Sequence, residues 1–194
     1  MKFRISTIAD AGEILDIYAP IIRETVISLE LAPPTAEQMQ KRINSTLEQF
    51  PWIVAEIDSQ IAGYAYGGAH RSRWAYQWSC ESSVYVNSRF RRRGVARQLY
   101  GVLFNLLRAQ GYINAYAGVS LPNPGSEGLH ESCGFRKIGD YENIGFKFEA
   151  WHSVRWYALD LVPHPVSEPP PPIPFSKLNT ATVQQYMDRS PTAR

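Results

Sequence analysis

Apolar residues recur along the chain with the periods of helices and strands, and the clearest unit lies near the centre. After Val95 they fall at offsets of four, seven, eight, eleven and twelve, which places them on one face of a helix. The preceding segment Val84-Tyr85-Val86 is β-branched and aromatic, a composition typical of a strand. The link at 87–94 is polar and basic and contains Gly94. This part of the chain therefore predicts a strand, a basic turn and an amphipathic helix.

The flanking patterns predict the remaining elements of a mixed α/β (α+β) domain. Strands are predicted at 3–5, 52–55, 61–69, 78–86, 115–121, 136–141 and 154–161, and further helices follow Asp10, follow Thr35 and span 126–133. Thr35 and Gln38 have the spacing of a capping box, and Pro20 is expected to bend the first helix. The segment 145–152 fits either a bulged loop or an extra strand.

The composition of the chain changes after Leu161. Prolines at 163, 165, 169–172 and 174 exclude a helix or a central strand and favour an extended polyproline conformation. We therefore expect a main domain at 1–162, a proline-rich extension at 163–176 that lies along it, and a tail at 177–194 with little order. Within the tail, 183–187 has the pattern of a marginal helix only. A ligand for proline-binding modules is the alternative interpretation of the extension.

Length, charge and cysteine count narrow the class of protein. The 194 residues are enough for one domain of ordinary size with a full core. The formal net charge of +2 does not indicate a nucleic-acid partner, and no apolar run approaches the roughly 20 residues of a membrane span. Cys80 and Cys133 are too few for a disulfide framework, and no Cys/His spacing suggests zinc. We therefore expect a cytoplasmic protein without a metal, nucleic-acid or membrane partner.

The basic turn before the central helix has the features of a phosphate-binding loop. The first N–H groups of a helix have no intrahelical partners, and the helix dipole adds positive potential there. Gly94 has no Cβ, so the backbone can approach an anion closely. The arginines of the turn, which stay protonated at neutral pH, are Arg91, Arg92, Arg93 and Arg97. The alternatives are a solvated turn and, last in our ranking because no second basic cluster extends it, a nucleic-acid patch.

The pattern Arg91-x-x-Gly94-x-Ala96, between a strand and a helix, resembles the acetyl-coenzyme A pyrophosphate loop of the GCN5-related N-acetyltransferases. The element order resembles the fold of that family, a mixed, mostly antiparallel sheet flanked by helices, in which two parallel strands splay apart where the cofactor enters. One branch, the phosphinothricin N-acetyltransferases and their methionine sulfone- and sulfoximine-acetylating relatives, is similar over about 3–174. The shared segments are Arg73-x-Ala75-Tyr76, Glu81-Ser82-Ser83-Val84-Tyr85-Val86, Leu121-Pro122-Asn123 with Ser126, His130-Glu131-x-x-Gly134-Phe135, Gly145-Phe146-Lys147 and Trp151-His152.

The resemblance implies an enzyme that moves the acetyl group of acetyl-coenzyme A to the primary amine of a small amino acid-like substrate. The amine is expected to attack the thioester directly in a ternary complex, and the enzyme to be a homodimer. The residues that the resemblance assigns to acetyl-coenzyme A are Val84, Tyr85, Val86, Arg91, Arg92, Arg93, Gly94, Val95, Ala96, Arg97, Asn123 and Ser126. Two details depart from the family pattern: Ala96 replaces the commoner glycine, and Pro124-Gly125 follows Asn123 where Asp-Pro is commoner.

The resemblance assigns the proton transfers to Glu81 and His130. Glu81 is expected to accept a proton from the incoming ammonium. His130, where many members of the superfamily have a tyrosine, is expected to protonate the departing thiolate or to act as the base. The candidates for substrate binding are Arg73, Tyr76 and Glu30, since arginine offers a bidentate fork to a carboxylate. Taken alone, Glu81, His130 and Arg73 are equally explained as surface or structural residues.

Two other functions stay open at this point. An enzyme of the same fold could acetylate a protein N-terminus or a polyamine. A non-catalytic module could instead bind coenzyme A or a proline-recognising partner. The substitution Glu81→Gln separates the classes, because an enzyme loses turnover while it keeps acetyl-coenzyme A binding.

Overall fold

The computed structural model describes residues 1–188 and shows a seven-stranded sheet. Its strands are β1 (Lys2–Ile5), β2 (Trp52–Ile57), β3 (Gln60–Ala69), β4 (Ser79–Val86), β5 (Asn114–Ser120), β6 (Arg136–Lys147) and β7 (Ala150–Asp160). They lie in the order β1-β2-β3-β4-β5-β7-β6, and within the described residues β4 with β5 is the one parallel pair. The predicted fold class, a mixed and mostly antiparallel sheet flanked by helices, is confirmed.

The described helices are α1 (Ala11–Glu24), α2 (Ala36–Gln49), α3 (Val95–Gln110), α4 (Pro124–Ser132) and α5 (Thr180–Asp188). The capping box predicted at the start of α2 is confirmed: Thr35 Oγ1 accepts from the Gln38 N–H at 3.2 Å, and Gln38 Oε1 accepts from the Thr35 N–H at 2.8 Å. Helix α1 does not end at Pro20 but continues for one more turn to Glu24.

Side chains alternate between two cores, one on each face of the sheet. Along β2, Ile53 and Ala55 point into the core that contains α3, whereas Trp52 and Val54 point into the core formed with α1 and α2. The first face is called the α3 face below, and the second the α1/α2 face. The alternation divides β4 in the same way, so neighbouring residues of that strand serve opposite faces.

The parallel strands β4 and β5 pair over a short distance and then separate. Their register pairs are Ser79 with Asn114, Cys80 with Ala115 and Glu81 with Tyr116. Strand β4 continues to Val86, but no ladder joins it to β5 past Glu81. The gap that opens there is flanked by unpaired backbone groups of both strands. This splayed pair, which the family resemblance predicts, determines where a ligand can enter the sheet.

The segment 145–152 belongs to a long hairpin rather than to a separate loop. Strand β6 continues to Lys147, and the chain turns through Phe148 and Glu149, both with positive φ, before β7 begins. The Lys147 ammonium is buried and donates to the carbonyl oxygens of Ile22 at 2.7 Å and Ser28 at 2.6 Å. It therefore ties the tip of the hairpin to the end of α1 and the loop that follows.

The chain after Leu161 returns to the domain surface. The Trp78 indole N–H donates to the Pro170 carbonyl at 2.9 Å, and Gln110 and Ile173 exchange two hydrogen bonds. The prediction of little order from 177 onward is wrong for 177–188, because α5 packs against α3 and β1 with Met187 buried in the α3-face core. Residues 189–194 of the predicted tail lie outside the described part of the chain.

Candidate active site

A cleft of about 530 Å³ lies at the amino end of α3, beside the outer part of β4. The residues of the predicted acetyl-coenzyme A set that line it are Val84, Tyr85, Val86, Arg91, Arg92, Gly94, Val95, Ala96, Arg97, Asn123 and Ser126. Arg93 instead lies over the Phe90 ring, 5.7 Å from its centroid. The remaining lining comes from Ile21 and Ile27, Phe90, Gly125 and Leu129, so the cleft is apolar along its length and cationic at one end.

The cationic end is formed by the turn that starts α3. Gly94 is the residue before the helix and has a φ of 77°, a left-handed conformation that favours glycine. Arg92 is also left-handed, with a φ of 59°. The first turn of α3 contains no acidic residue, so the arginines add to the positive end of the helix dipole rather than offset it. Such an arrangement suits a polyanion bound to the free N–H groups of the first turn.

Asn123 caps the next helix at the other side of the cleft. Its Oδ1 accepts from the Ser126 N–H at 3.2 Å, which starts α4. Because Oδ1 is used in this way, the amide nitrogen of Asn123 is the end that remains for a ligand in the cleft.

His130 lies in the core and has a fixed tautomer. Its Nδ1 lies 2.7 Å from the Ser126 carbonyl oxygen, which can only accept, so Nδ1 carries the proton. Its Nε2 therefore accepts from the Tyr100 hydroxyl at 3.0 Å. The side chain is 3% exposed, and burial lowers the pKa of His130, so the ring is neutral at pH 7.

Tyr100 is hydrogen-bonded to His130 and lies with it at the gap in the sheet. Both side chains line a small cavity of about 60 Å³ between β4 and β5, together with Ser82, Ser120 and others. Burial raises the pKa of Tyr100, so its hydroxyl stays protonated at neutral pH. The pair thus presents a protonated phenol, backed by a neutral imidazole, to the space where the strands separate.

Glu81 lies on the opposite face of β4 from His130. Ser82 points to the α3 face, where it shares the small cavity with His130, and the neighbouring Glu81 points to the α1/α2 face. The structure therefore does not bring the two predicted catalytic residues together. Glu81 is partly exposed, and its Oε1 lies 3.0 Å from Nδ1 of His70, a residue that the sequence patterns did not single out.

The three predicted substrate-binding residues have different surroundings. Arg73 and Tyr76 are exposed on the loop that joins β3 to β4, which begins at His70 beside Glu81. Glu30 is already paired, because Arg42 donates to both of its carboxylate oxygens at 2.8 and 3.0 Å and the Tyr18 hydroxyl donates at 2.9 Å. Burial alone would raise the pKa of Glu30, but these hydrogen bonds lower it overall. Its charge is therefore neutralised within the protein.

A family model described as an acetyltransferase (GNAT) domain matches residues 3–156. The chain belongs to the GNAT acetyltransferases. It is 32% identical to the phosphinothricin N-acetyltransferase of Streptomyces viridochromogenes over 89% of this chain and 93% of that protein. It is 30% identical to the L-methionine sulfoximine/L-methionine sulfone acetyltransferase of Pseudomonas aeruginosa over 84% of this chain and 95% of that protein.

Solved structures support the same assignment. A GNAT superfamily phosphinothricin acetyltransferase from Sinorhizobium meliloti, in complex with acetyl-coenzyme A, superposes with a TM-score of 0.82 at 28% identity, over 87% of this chain and 92% of that chain. The resemblance to this branch of the family is therefore confirmed.

Two residues of this acetyltransferase site were missed by sequence reasoning. Tyr100 follows Leu99 on the apolar side of α3, so its pattern is that of a core residue. His70 continues the alternation of Tyr64, Tyr66 and Gly68 along β3, and extending that alternation by one step would have placed it on the α1/α2 face.

Within residues 1–188, no cluster of three or more His, Cys, Asp or Glu side chains is arranged to hold a metal ion. None of the helices in that range combines the length and the apolar character that crossing a membrane requires.

Proposed function

We propose that this acetyltransferase transfers the acetyl group of acetyl-coenzyme A to the primary amine of a small amino acid-like substrate, of the phosphinothricin, methionine sulfone or methionine sulfoximine type. The observation that carries the proposal is the gap between β4 and β5. The cationic cleft lies along one side of this gap, and Glu81 belongs to the last register pair before the two strands separate. The names of the two relatives support the substrate class.

Acetyl-coenzyme A fits the cleft by its charge and its shape. Its pyrophosphate would bind at the first turn of α3 beside Arg91, Arg92 and Arg97, and its pantetheine arm would run between the separated strands. Unpaired backbone groups of 84–86 and the Asn123 amide would hydrogen-bond that arm. The thioester would then lie where the strands begin to part, next to the small cavity with Tyr100.

The reaction needs two proton transfers, and the proposal assigns one to each face of β4. On the α1/α2 face, Glu81 takes a proton from the ammonium, directly or through water, and the free amine attacks the thioester carbonyl. The N–C bond forms and the C–S bond breaks. On the α3 face, the Tyr100 hydroxyl turns from Nε2 of His130 and gives its proton to the thiolate, and the phenolate is reprotonated from solvent because Nε2 carries no proton. Glu81 returns its proton to solvent and the second amine proton follows, so the products are the amide, free coenzyme A and one proton.

Arg73 and Tyr76 would hold the substrate carboxylate. Both are exposed on the loop that starts at His70, the neighbour of Glu81, and an arginine fork binds a carboxylate in a bidentate way. Glu30 does not enter this proposal, because Arg42 and Tyr18 already occupy its oxygens.

The experiment is free-thiol release from acetyl-coenzyme A with a panel of amines. The panel comprises methionine sulfone, methionine sulfoximine, phosphinothricin, a polyamine and an N-terminal peptide. Release with the first three supports the proposal. Release with the peptide or polyamine alone would contradict the substrate class, and tight acetyl-coenzyme A binding without release for any amine would favour a binding module.

We also propose that the enzyme is a cytoplasmic homodimer. Strand β6 is an edge of the sheet, and its hairpin with β7 carries exposed apolar side chains at Ile138, Tyr141, Ile144, Phe146 and Trp151. Cys80 and Cys133 are both free thiols, which fits a reducing compartment. Light scattering should give twice the chain mass, and Ile144→Asp should weaken the dimer. A monomer at high micromolar concentration would contradict the proposed assembly.

A further inference from the structure

His70 lies directly against Glu81, and the proposed reaction gives it no role so far. We propose that His70 is a positioning residue that holds the Glu81 carboxylate in the orientation needed to accept the amine proton. This inference rests on the proposed function, because it concerns the base of that reaction.

The hydrogen bond between the two residues has a defined direction. An ionised carboxylate can only accept hydrogen bonds, so the proton at the 3.0 Å contact belongs to Nδ1 of His70. This bond occupies Oε1 of Glu81 and leaves Oε2 for the incoming amine. It also fixes the orientation of the ring, with Nδ1–H directed at the carboxylate.

The imidazole is itself held in place by two aromatic rings. It stacks on Tyr116 with 4.3 Å between ring centroids and 12° between planes, and it meets Trp156 in a T-shaped contact with 5.8 Å between ring centroids. Tyr116 is the β5 residue in register with Glu81, at the last pair before the strands separate. The stack therefore fixes His70 above the point where the proposal locates the thioester.

The contrast in exposure between the two side chains argues for positioning rather than for stabilisation. The His70 side chain is 14% exposed, whereas that of Glu81 is 38% exposed. A contact with such an exposed carboxylate contributes little to folding stability. A fixed orientation, in contrast, matters for proton transfer, because small misplacements of a catalytic group cost large factors in rate.

Two substitutions separate the hydrogen bond from the stack. His70→Phe keeps a ring on Tyr116 and removes the donor. His70→Asn keeps an N–H at the place of Nδ1 and removes the ring. We expect His70→Phe to lower kcat about tenfold or more, with the KM for acetyl-coenzyme A and the melting temperature nearly unchanged. His70→Asn should retain more of the turnover than His70→Phe.

A double-mutant cycle with Glu81→Gln gives the decisive readout. If His70 acts through Glu81, His70→Phe should have less than about a twofold effect once Glu81 is Gln, because the group that it positions is gone. An equal loss of kcat in both backgrounds would overturn the positioning role. So would a His70→Phe enzyme with wild-type kcat.

The same samples distinguish this inference from the proposed function. Wild-type protein that binds acetyl-coenzyme A but acetylates no amine of the panel would overturn the proposed function, and the role of His70 with it. Active wild-type enzyme that is insensitive to His70→Phe would overturn the role of His70 alone. Imidazole ¹⁵N shifts add a readout independent of turnover: the proposal expects a proton on Nδ1 of His70 in wild type and its loss in Glu81→Ala, which removes the acceptor, and an unprotonated Nδ1 in wild type would contradict it.

Discussion

Two histidines flank the same strand, and their surroundings give them different chemistry. His130, on the α3 face of β4, is 3% exposed and donates to a backbone carbonyl, so it is a neutral acceptor for Tyr100. His70, on the α1/α2 face, donates to a carboxylate and stacks on Tyr116. Each has a proton on Nδ1, but His70 donates it to the carboxylate that serves as the proposed base, whereas His130 donates it to a backbone carbonyl. The two residues are both histidines, so the difference in their chemistry comes from the atom that accepts the Nδ1 proton.

The comparison also separates the two proton transfers of the proposed reaction. The pleat of β4 directs Glu81 to one face and Ser82, with Tyr100 and His130, to the other. A single group that takes the amine proton and delivers it to the thiolate would have to reach through the strand. The following predictions test this division, beginning with the largest effect.

Replacing Glu81 by glutamine should have the largest effect on turnover. The variant keeps the shape of the side chain but removes the base, so we expect kcat to fall by about 10²–10⁴-fold. The Kd for acetyl-coenzyme A should change little, because the cleft lies on the other side of the gap. Steady-state kinetics and calorimetric titration measure the two quantities. Glu56→Gln on β2 is the control and should keep wild-type turnover.

Tyr100→Phe should lower turnover by about 10²-fold, at the lower end of the range for acid–base groups because a thiolate is a good leaving group. It removes the one hydroxyl proton, which Tyr100 donates to His130 in the resting structure and would turn to the thiolate in the proposed reaction. The matched control is Tyr112→Phe, which also removes a buried hydroxyl but breaks only the contact with Gln49. Equal turnover of the two variants would remove Tyr100 from the mechanism.

Gly94→Ala should weaken acetyl-coenzyme A binding by about fivefold to tenfold, a cost of about 1 kcal/mol in binding free energy. The backbone there has a φ of 77°, and a Cβ strains the turn that carries the first N–H groups of α3. Gly111→Ala is the control, since Gly111 ends the same helix with a φ of 96° but lies away from the cleft. Both variants should lose about 1–2 kcal/mol of unfolding free energy, and only Gly94→Ala should change the Kd.

The smallest effect concerns the pH dependence of stability. Burial depresses the pKa of His130 in the folded state, so the unfolded chain binds the proton more readily. The neutral ring contributes to stability above about pH 6.5, the pKa of histidine in the unfolded chain. This contribution is lost as the pH falls through the lower pKa that His130 has in the folded protein. When the pH is lowered from 7.5 to 5.5, the melting temperature of the wild type should therefore decrease by more than that of His130→Gln. Parallel curves would contradict a neutral, buried His130.

Sequence patterns predicted most of the fold and the strand-turn-helix unit that lines the cleft. The strand-turn-helix unit at 84–107 depends on local periodicity and on Gly94, both of which are visible in sequence. The tail helix was predicted only as a marginal one at 183–187 because its stability comes from packing: Met187 is buried against elements more than 70 residues away, and its local pattern is weak.

The residues that sequence reasoning missed in the site depend on contacts between distant strands and helices. His70 becomes informative because β3, β4 and β5 bring it to Glu81 and Tyr116. Tyr100 becomes informative because α4 brings His130 to its hydroxyl. In the sequence each is an aromatic residue at the end or on the face of a regular element, where packing is the ordinary explanation. The pairing of Glu30 with Arg42 also depends on such a contact, and the predicted role of Glu30 in substrate binding stays a prediction.

The most direct test of the division between the two faces uses an acceptor that needs no base. An aminooxy analogue of the best amine is already unprotonated at neutral pH, so Glu81 has no proton to remove before attack. The measurement is kcat of Glu81→Gln and of Tyr100→Phe, each with the amine and with the analogue. The account predicts that the analogue restores turnover to Glu81→Gln and leaves Tyr100→Phe impaired. Equal impairment of Glu81→Gln with both acceptors would contradict the assignment of Glu81 as the base on the α1/α2 face.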